Sequence, residues 1–188
     1  IGHAGHPEVI GTMGQLPAGA ITLLETVADA EVFAPRDASL LSFVTQTTLS
    51  VEDAMRVMSV LQRRFPRLRV PRKEDICYAT TNRQMAVKHL RGRVDLWLVI
   101  GDRMSSNSNR LREIGAGSGV PAHLVLDAAE IDPAWLRGID TVGITSGAST
   151  PETSVQAVVA RLRGLGATTV DEVDGTIEAV EFQLPPQV

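Results

Sequence analysis

Val94-Asp95-Leu96-Trp97-Leu98-Val99-Ile100-Gly101 is the clearest strand in this sequence, because an unbroken apolar run from Leu96 to Ile100 ends on a glycine. Such a run is what a parallel strand covered on both faces requires. Beyond it, Ser105-Ser106-Asn107-Ser108-Asn109 reads as a hydroxyl- and amide-rich loop leading into a helix around Arg110 to Ile114, and Ala122 to Leu126 as another strand. Asp132-Pro133 predicts a short helix with proline at its first position. Thr141 to Thr145 is the next strand. A helix then starts at Pro151, turns Val155, Val158, Val159 and Leu162 inward, and stops at Gly164 or Gly166. Before the central strand, Thr80 or Thr81 is expected to cap a helix running to about Leu90, with Met85, Ala86, His89 and Leu90 on its inner side. This alternation of strand and helix predicts α/β architecture with small, mostly parallel sheets flanked by helices.

Further towards the N-terminus, Ala20 to Leu24 and Leu40 to Thr45 read as strands, and Val27 to Phe33 as a short helix ending before Pro35. Ser50 has the chemistry of an N-cap, with Asp53 three residues on. Val51, Ala54, Met55, Met58, Leu61 and Phe65 follow at helical spacing until Pro66 stops the helix. The segment from Pro66 to Asp75, rich in proline and basic residues, predicts a boundary between a unit at 1–72 and a second at 73–166. Residues 167–188, where Ile177, Val180 and Phe182 alternate, read as an outlying strand and tail.

With 188 residues, 44% hydrophobic, the chain can bury a core in one or two domains. A net charge of -4 argues against a general nucleic-acid binder, and the basic run Arg63, Arg64, Arg67, Arg69, Arg72, Lys73 reads as a solvated surface. A single cysteine excludes an internal disulfide framework and fits a reducing, cytoplasmic compartment. No apolar run approaches the roughly 18 residues of a membrane span, and nothing resembles a signal peptide. The opening Ile1-Gly2-His3-Ala4-Gly5-His6 reads as a strand end entering a loop, so the chain is expected to begin inside a fold.

Four stretches concentrate hydroxyl, amide and glycine residues: His6-Pro7-Glu8, Gln46-Thr47-Thr48, Ser105 to Asn109, and Ser146-Gly147-Ala148-Ser149. In open α/β folds such segments lie at the carboxyl ends of strands, where helix N-termini supply free N–H groups and partial positive charge for an anion. Their commoner employment is helix capping. Neither a Walker pattern nor a dinucleotide glycine fingerprint is present. His6 and Glu8 flank a proline and could relay a proton. His3, His89, His123, Trp97 and Trp135 read as structural. Cys77, in Asp75-Ile76-Cys77-Tyr78-Ala79-Thr80-Thr81-Asn82-Arg83-Gln84, could be buried filler, a nucleophile or a metal ligand; without a CxxC companion, its chemistry alone favours burial.

Taken together, the words Gly2-His3-Ala4-Gly5-His6-Pro7-Glu8-Val9, Thr45 to Ser50, Asp75 to Gln84, Ser105 to Leu111 and Thr145 to Ser149 occur in an order that resembles the 4-hydroxy-3-methylbut-2-enyl diphosphate reductase family, over essentially the whole chain to about Leu184. The resemblance implies a three-lobed α/β enzyme of the non-mevalonate isoprenoid pathway in which each lobe gives one cysteine to a central 4Fe-4S iron-sulfur cluster. It implies reduction of an allylic diphosphate to isopentenyl and dimethylallyl diphosphate, with flavodoxin or ferredoxin as electron donor. Cys77 then corresponds to a cluster ligand and Glu8 to the proton-delivering acid. His6, Ser105, Ser106, Asn107 and Ser149 correspond to groups at the substrate diphosphate, and Thr47 to the threonine that bonds near the substrate hydroxyl and the acid. On this basis residues 1–72 are most of a second lobe and 73–166 a third, and the chain is a carboxyl-terminal portion lacking two cluster cysteines and inactive alone. The rival expectation is a non-catalytic anion-binding or interaction module on the same scaffold.

Overall fold

A computed structural model describes residues 1–71 and 75–173. Its centre is a three-stranded parallel sheet in the order β2-β1-β3, formed by β1 (Leu96–Ile100), β2 (Ala122–Val125) and β3 (Val142–Ser146). All five residues of β1 are buried, as the apolar run predicts. The reason is that β1 is central and covered on both sides. Leu96, Leu98 and Ile100 pack with Val125, Ile131, Val158 and Leu162, whereas Trp97 and Val99 face Val87, Leu111 and Ile114. Each fully buried aliphatic side chain contributes roughly 1.5–3 kcal/mol.

Helices supply these covers. On one face lies α6 (Glu152–Gly164), which buries Val158 and Leu162 and ends where Gly166 takes φ +117. On the other lie α4 (Tyr78–His89) and α5 (Ser106–Ala116). Trp97 sits between Gly115 and Gly143: a Cβ at Gly143 would stand 2.7 Å from its ring, so only glycine lets β3 approach it.

The N-terminal stretch, residues 1–71, contains α1 (Pro7–Met13), α2 (Val27–Val32) and α3 (Val51–Arg64). Thr26 and Asp29 form a reciprocal capping box on α2, and Ser50 caps α3 by accepting from the Asp53 amide at 3.3 Å. Leu24, Ala30, Val57, Val60 and Leu61 form its core, beside an edge-to-face pair of Phe33 and Phe65.

Several details differ from the sequence reading. Ala20–Leu24 and Leu40–Thr45 do not form strands; what exists is a single parallel bridge, Ser42 to Arg69, and ladder-like bonds around Ile1 and Gly2. The Ile1 amine donates to the Val44 carbonyl, the Gln46 amide to Ile1, and the Gly2 amide to Leu24. Too few bonds follow in succession to define a strand. In α3 the buried stripe is Ala54, Val57, Val60 and Leu61, while Met55 is 56% exposed, because two apolar stripes lie side by side on this helix and the core takes the other one. Arg64 is not merely solvated: its guanidinium lies 5.0 Å from the Phe65 ring centroid and donates to the carbonyls of Ala30 and Phe33 at the end of α2.

Both middle helices begin earlier than expected. Cys77, not a threonine, is the N-cap of α4, and the inward residues are Thr80, Gln84 and Val87, leaving Met85 and His89 exposed. Helix α5 starts at Ser106, so the expected loop Ser105–Asn109 is its first turn. Residues 167–173 form no regular element, and the remainder of the predicted terminal strand lies outside the described residues, as do Arg72 and Lys73.

Candidate functional site

Proline at the first position of α1 fixes where that helix begins, and His6 is its N-cap. The Glu8 amide donates to His6 Nδ1 at 3.3 Å. Because Nδ1 accepts, the neutral ring carries its proton on Nε2, which is left as a donor. Glu8, one residue into α1, turns its carboxylate to Thr47: Oε1 accepts from the Thr47 amide at 3.0 Å and Oε2 from the Thr47 hydroxyl at 3.0 Å.

The same segment holds Cys77. Its amide donates to the Thr47 carbonyl at 3.1 Å, and the Thr81 amide donates to the Cys77 carbonyl at 3.0 Å, closing the first turn of α4. Cys77 makes no side-chain cap bond, and its thiol is free and exposed. The burial favoured by its composition-level chemistry is therefore not what the fold provides. Thr47 bonds Glu8 through its amide and hydroxyl and Cys77 through its carbonyl, so one residue joins the segments that carry the carboxylate and the thiol.

A second cluster lies at the carboxyl ends of β1 and β3. Ser105 caps α5 by accepting from the Ser108 amide at 3.3 Å. A hydroxyl oxygen that accepts this bond still has its own proton to donate, so capping and ligand binding are compatible. The amides of Ser106 and Asn107, in the first turn, precede the intrahelical ladder and face outward from the helix end. Asn107 is 8% exposed, yet its Oδ1 has no hydrogen-bond partner among the described residues. Rotating that amide by 180° would present its NH2 instead, a donor suited to an anion.

The turn carrying Ser149 abuts this helix end through glycine. A Cβ at Gly101 would lie 2.2 Å from the Ser108 hydroxyl and one at Gly147 2.5 Å from it, so α5 seats between the two strand ends only because both are bare. Thr150 secures the turn by donating its hydroxyl to the Ile100 carbonyl at 3.0 Å. Ser149 itself is exposed.

Helix α4 links the clusters. It starts at Cys77, and one and a half turns later Arg83 donates to the Ser146 hydroxyl at 3.2 Å. Arg83 makes no ion pair among the described residues, and its buried Nε has no partner. It brings a cation to the edge of a site whose residues otherwise read as neutral donors. Sequence reasoning gave no role to Arg83 or Gln84, and placed Gln46 only within a candidate stretch. Gln46 is buried at 3% exposure and holds the loop before α1, accepting from the His3 amide at 3.0 Å and donating to the Thr48 hydroxyl at 2.9 Å. A spacing argument could have found Arg83 and Gln84, since both lie within two turns of Cys77 on one helix. His3 bonds Arg110 of α5 at 2.9 Å and so ties the N-terminal loop to the second cluster.

The LytB protein family model matches residues 1–163 of this chain. The chain is 54% identical over 185 residues to the 4-hydroxy-3-methylbut-2-enyl diphosphate reductase of Phenylobacterium zucineum, covering 98% of this chain and 59% of that protein. With the same-named protein of Mannheimia succiniciproducens the identity is 50% over 190 residues, covering 100% and 60%. The chain thus spans about 60% of the length of the curated relatives it matches. Among solved structures, the E-1-hydroxy-2-methyl-but-2-enyl-4-diphosphate reductase of Plasmodium falciparum superposes with a TM-score of 0.78 at 34% identity, over 85% of this chain and 50% of that one.

Proposed function

Because this chain belongs to the LytB protein family, we propose that it forms part of a reductase acting on 4-hydroxy-3-methylbut-2-enyl diphosphate. The observation that carries the proposal is the pairing of Glu8 with Thr47, whose carbonyl is bonded to the backbone of an exposed Cys77. An acid held by two donors is a proton source, and the accessible thiol on the segment bonded to the Thr47 carbonyl offers a metal-ligand position.

In the reaction the substrate takes up two electrons and two protons: one proton leaves with its hydroxyl as water and the other is added to an allylic carbon, giving isopentenyl and dimethylallyl diphosphate. Glu8 delivers protons to the substrate. Thr47 orients it by occupying both carboxylate oxygens, leaving each a second lone-pair direction for substrate. The diphosphate is held by the amides of Ser106 and Asn107, the hydroxyls of Ser105, Ser106 and Ser149, the Asn107 amide group and His6 Nε2–H. Of these, Ser105, Ser106 and Asn107 are donors at the end of an 11-residue helix, where the macrodipole favours negative charge.

An iron-sulfur cluster is the group the family implies. Cys77, exposed at the open end of α4, fits one thiolate ligand of such a cluster. With one cysteine in the sequence, the other thiolates come from residues beyond it. Among the described residues no three histidine, cysteine or acidic side chains gather as a metal site. When bound, the cluster supplies the electrons and a Lewis-acidic iron for the departing hydroxyl. The electron donor is a flavodoxin or ferredoxin. No described helix is long and apolar enough to cross a membrane.

The test is anaerobic purification of the natural polypeptide that carries these residues, with iron and sulfide analysis and an assay with chemically supplied electrons. Iron, sulfide and turnover of the allylic diphosphate are expected. Diphosphate binding with neither iron nor turnover would replace this reading with that of a non-catalytic anion-binding module.

A further inference from the structure

Gln84 is fully buried, at 0% exposure, in the middle of α4. It is not part of the acid, thiol or anion-binding set, and a buried primary amide is costly unless its donor and acceptor are both used. Both are used on one short segment. Nε2 donates to the Leu49 carbonyl at 2.8 Å, and Oε1 accepts from the Val51 amide at 3.0 Å. Val51 is the first residue of α3, and its amide is one of the orphan donors of that helix end. Ser50 caps the Asp53 amide, so two residues from different parts of the chain share the cap of α3.

The segment clamped in this way is the one that carries Thr47. Cys77 and Gln84 are seven residues apart on α4, about two turns, and so lie on one face of the helix. From that face α4 makes three bonds to residues 47–51: Cys77 amide to Thr47, Gln84 to Leu49, and Val51 to Gln84. Without Gln84, the Cys77 amide is the only one of these three left. Thr47 in turn holds both oxygens of Glu8.

We infer that Gln84 is a positioning residue that fixes the Thr47–Glu8 pair relative to Cys77. The positioning rests on the hydrogen bonds; its consequence for turnover rests on the reductase reading above. Gln84 touches neither substrate nor cofactor in this account and acts through the Leu49–Val51 backbone. The rest of α4 contributes to the fold independently, through Val87 in the core.

The experiment uses two substitutions in the full polypeptide. Gln84→Met keeps length and helix propensity and removes both bonds. Val51→Pro removes one of the two, the Val51 amide bond to Gln84 Oε1, from the other side: proline is tolerated at the first helical position, and Ser50, at φ -62 and ψ 126, already has the extended conformation that precedes proline. Amide exchange by mass spectrometry is read on peptides covering residues 46–53 and 152–164. In both variants the first peptide is expected to exchange ~10-fold faster while the second is unchanged. Unchanged exchange at 46–53, or equal acceleration at 152–164, overturns the inference.

Turnover gives the second readout. Gln84→Met is expected to lower kcat roughly 10- to 100-fold with KM little changed, since the anion cluster on α5 is separate. Combined with Thr47→Ala, the loss in kcat should be smaller than the product of the two single losses. Multiplicative losses would make Gln84 a residue of general structure only. A parent protein without turnover would defeat the reductase reading, while the exchange result would still decide whether Gln84 positions the segment.

Discussion

Thr47 occupies both oxygens of the Glu8 carboxylate, one with its amide and one with its hydroxyl, each at 3.0 Å. The two residues are 39 positions apart and belong to different segments of the chain. A carboxylate fixed by two donors has little rotational freedom left, which is what a proton donor aimed at one substrate atom needs.

Glu8→Gln keeps the shape of the side chain and removes the transferable proton. Turnover in the full polypeptide is expected to fall roughly 100-fold or more. Affinity for the diphosphate, measured by calorimetry, should stay close to that of the parent. Unchanged turnover would remove Glu8 from proton delivery.

Cys77→Ser separates fold from function. The Cys77 side chain makes no cap bond and is exposed, whereas serine is a favoured N-cap. Thermal stability of the metal-free protein should therefore be unchanged or higher by up to about 1 kcal/mol, while iron content of the full polypeptide falls. Retention of iron at the parental ratio would exclude Cys77 as a ligand.

Gly101→Ala tests the seat of α5. The new Cβ would stand 2.2 Å from the Ser108 hydroxyl and 2.8 Å from its Cβ, a contact that no rotamer change relieves. Overpacking of this kind costs about 1–3 kcal/mol in stability. Displacing α5 also moves Ser105, Ser106 and Asn107, so diphosphate affinity should drop with it. Adding Ser108→Gly should recover most of the stability; a melting temperature unaffected by Gly101→Ala would contradict the packing.

His123 sets an acid limit on stability. Its ring stacks on Trp135 at 3.8 Å between centroids, and burial pushes its pKa below the ordinary imidazole value, with Asp132 opposing the shift. The unfolded state therefore binds the proton more readily than the folded one. This contribution to stability is complete above the ordinary pKa of about 6.5 and is lost as pH falls from there through the lower folded value. Urea denaturation between about pH 7 and 5 should show the loss, and His123→Gln should flatten that part of the curve. An identical slope in the variant would assign the acid sensitivity to other groups.

Local chemistry was read correctly wherever it was self-contained. Ser50 with Asp53, Asp132 with Pro133, and the run Leu96–Ile100 formed the cap, the short helix and the buried strand that their residues predict. Reading failed where a distant partner chose between local options. Met55 and Val57 are equally plausible inward residues of α3 until Leu24 and Ala30 select the face that includes Val57. Cys77 is a poor capping residue, yet α4 starts there because Thr47 fixes its amide.

The sequence by itself determined the strand and helix alternation, the hydroxyl-rich helix starts and the order of motifs that marks the family. These follow from side-chain periodicity, turn chemistry and residue identity, which act over a few neighbouring positions. Tertiary structure alone decided which atoms join Glu8 to Thr47, that Thr47 meets Cys77, that the thiol is exposed, and that Arg83 and Gln84 reach across from α4. Each of those contacts joins residues 30 or more positions apart. Such pairings arise only once the cores on β1 and α3 bring their segments together, because a hydrogen bond worth about 1 kcal/mol net cannot gather distant chain without the burial that holds it.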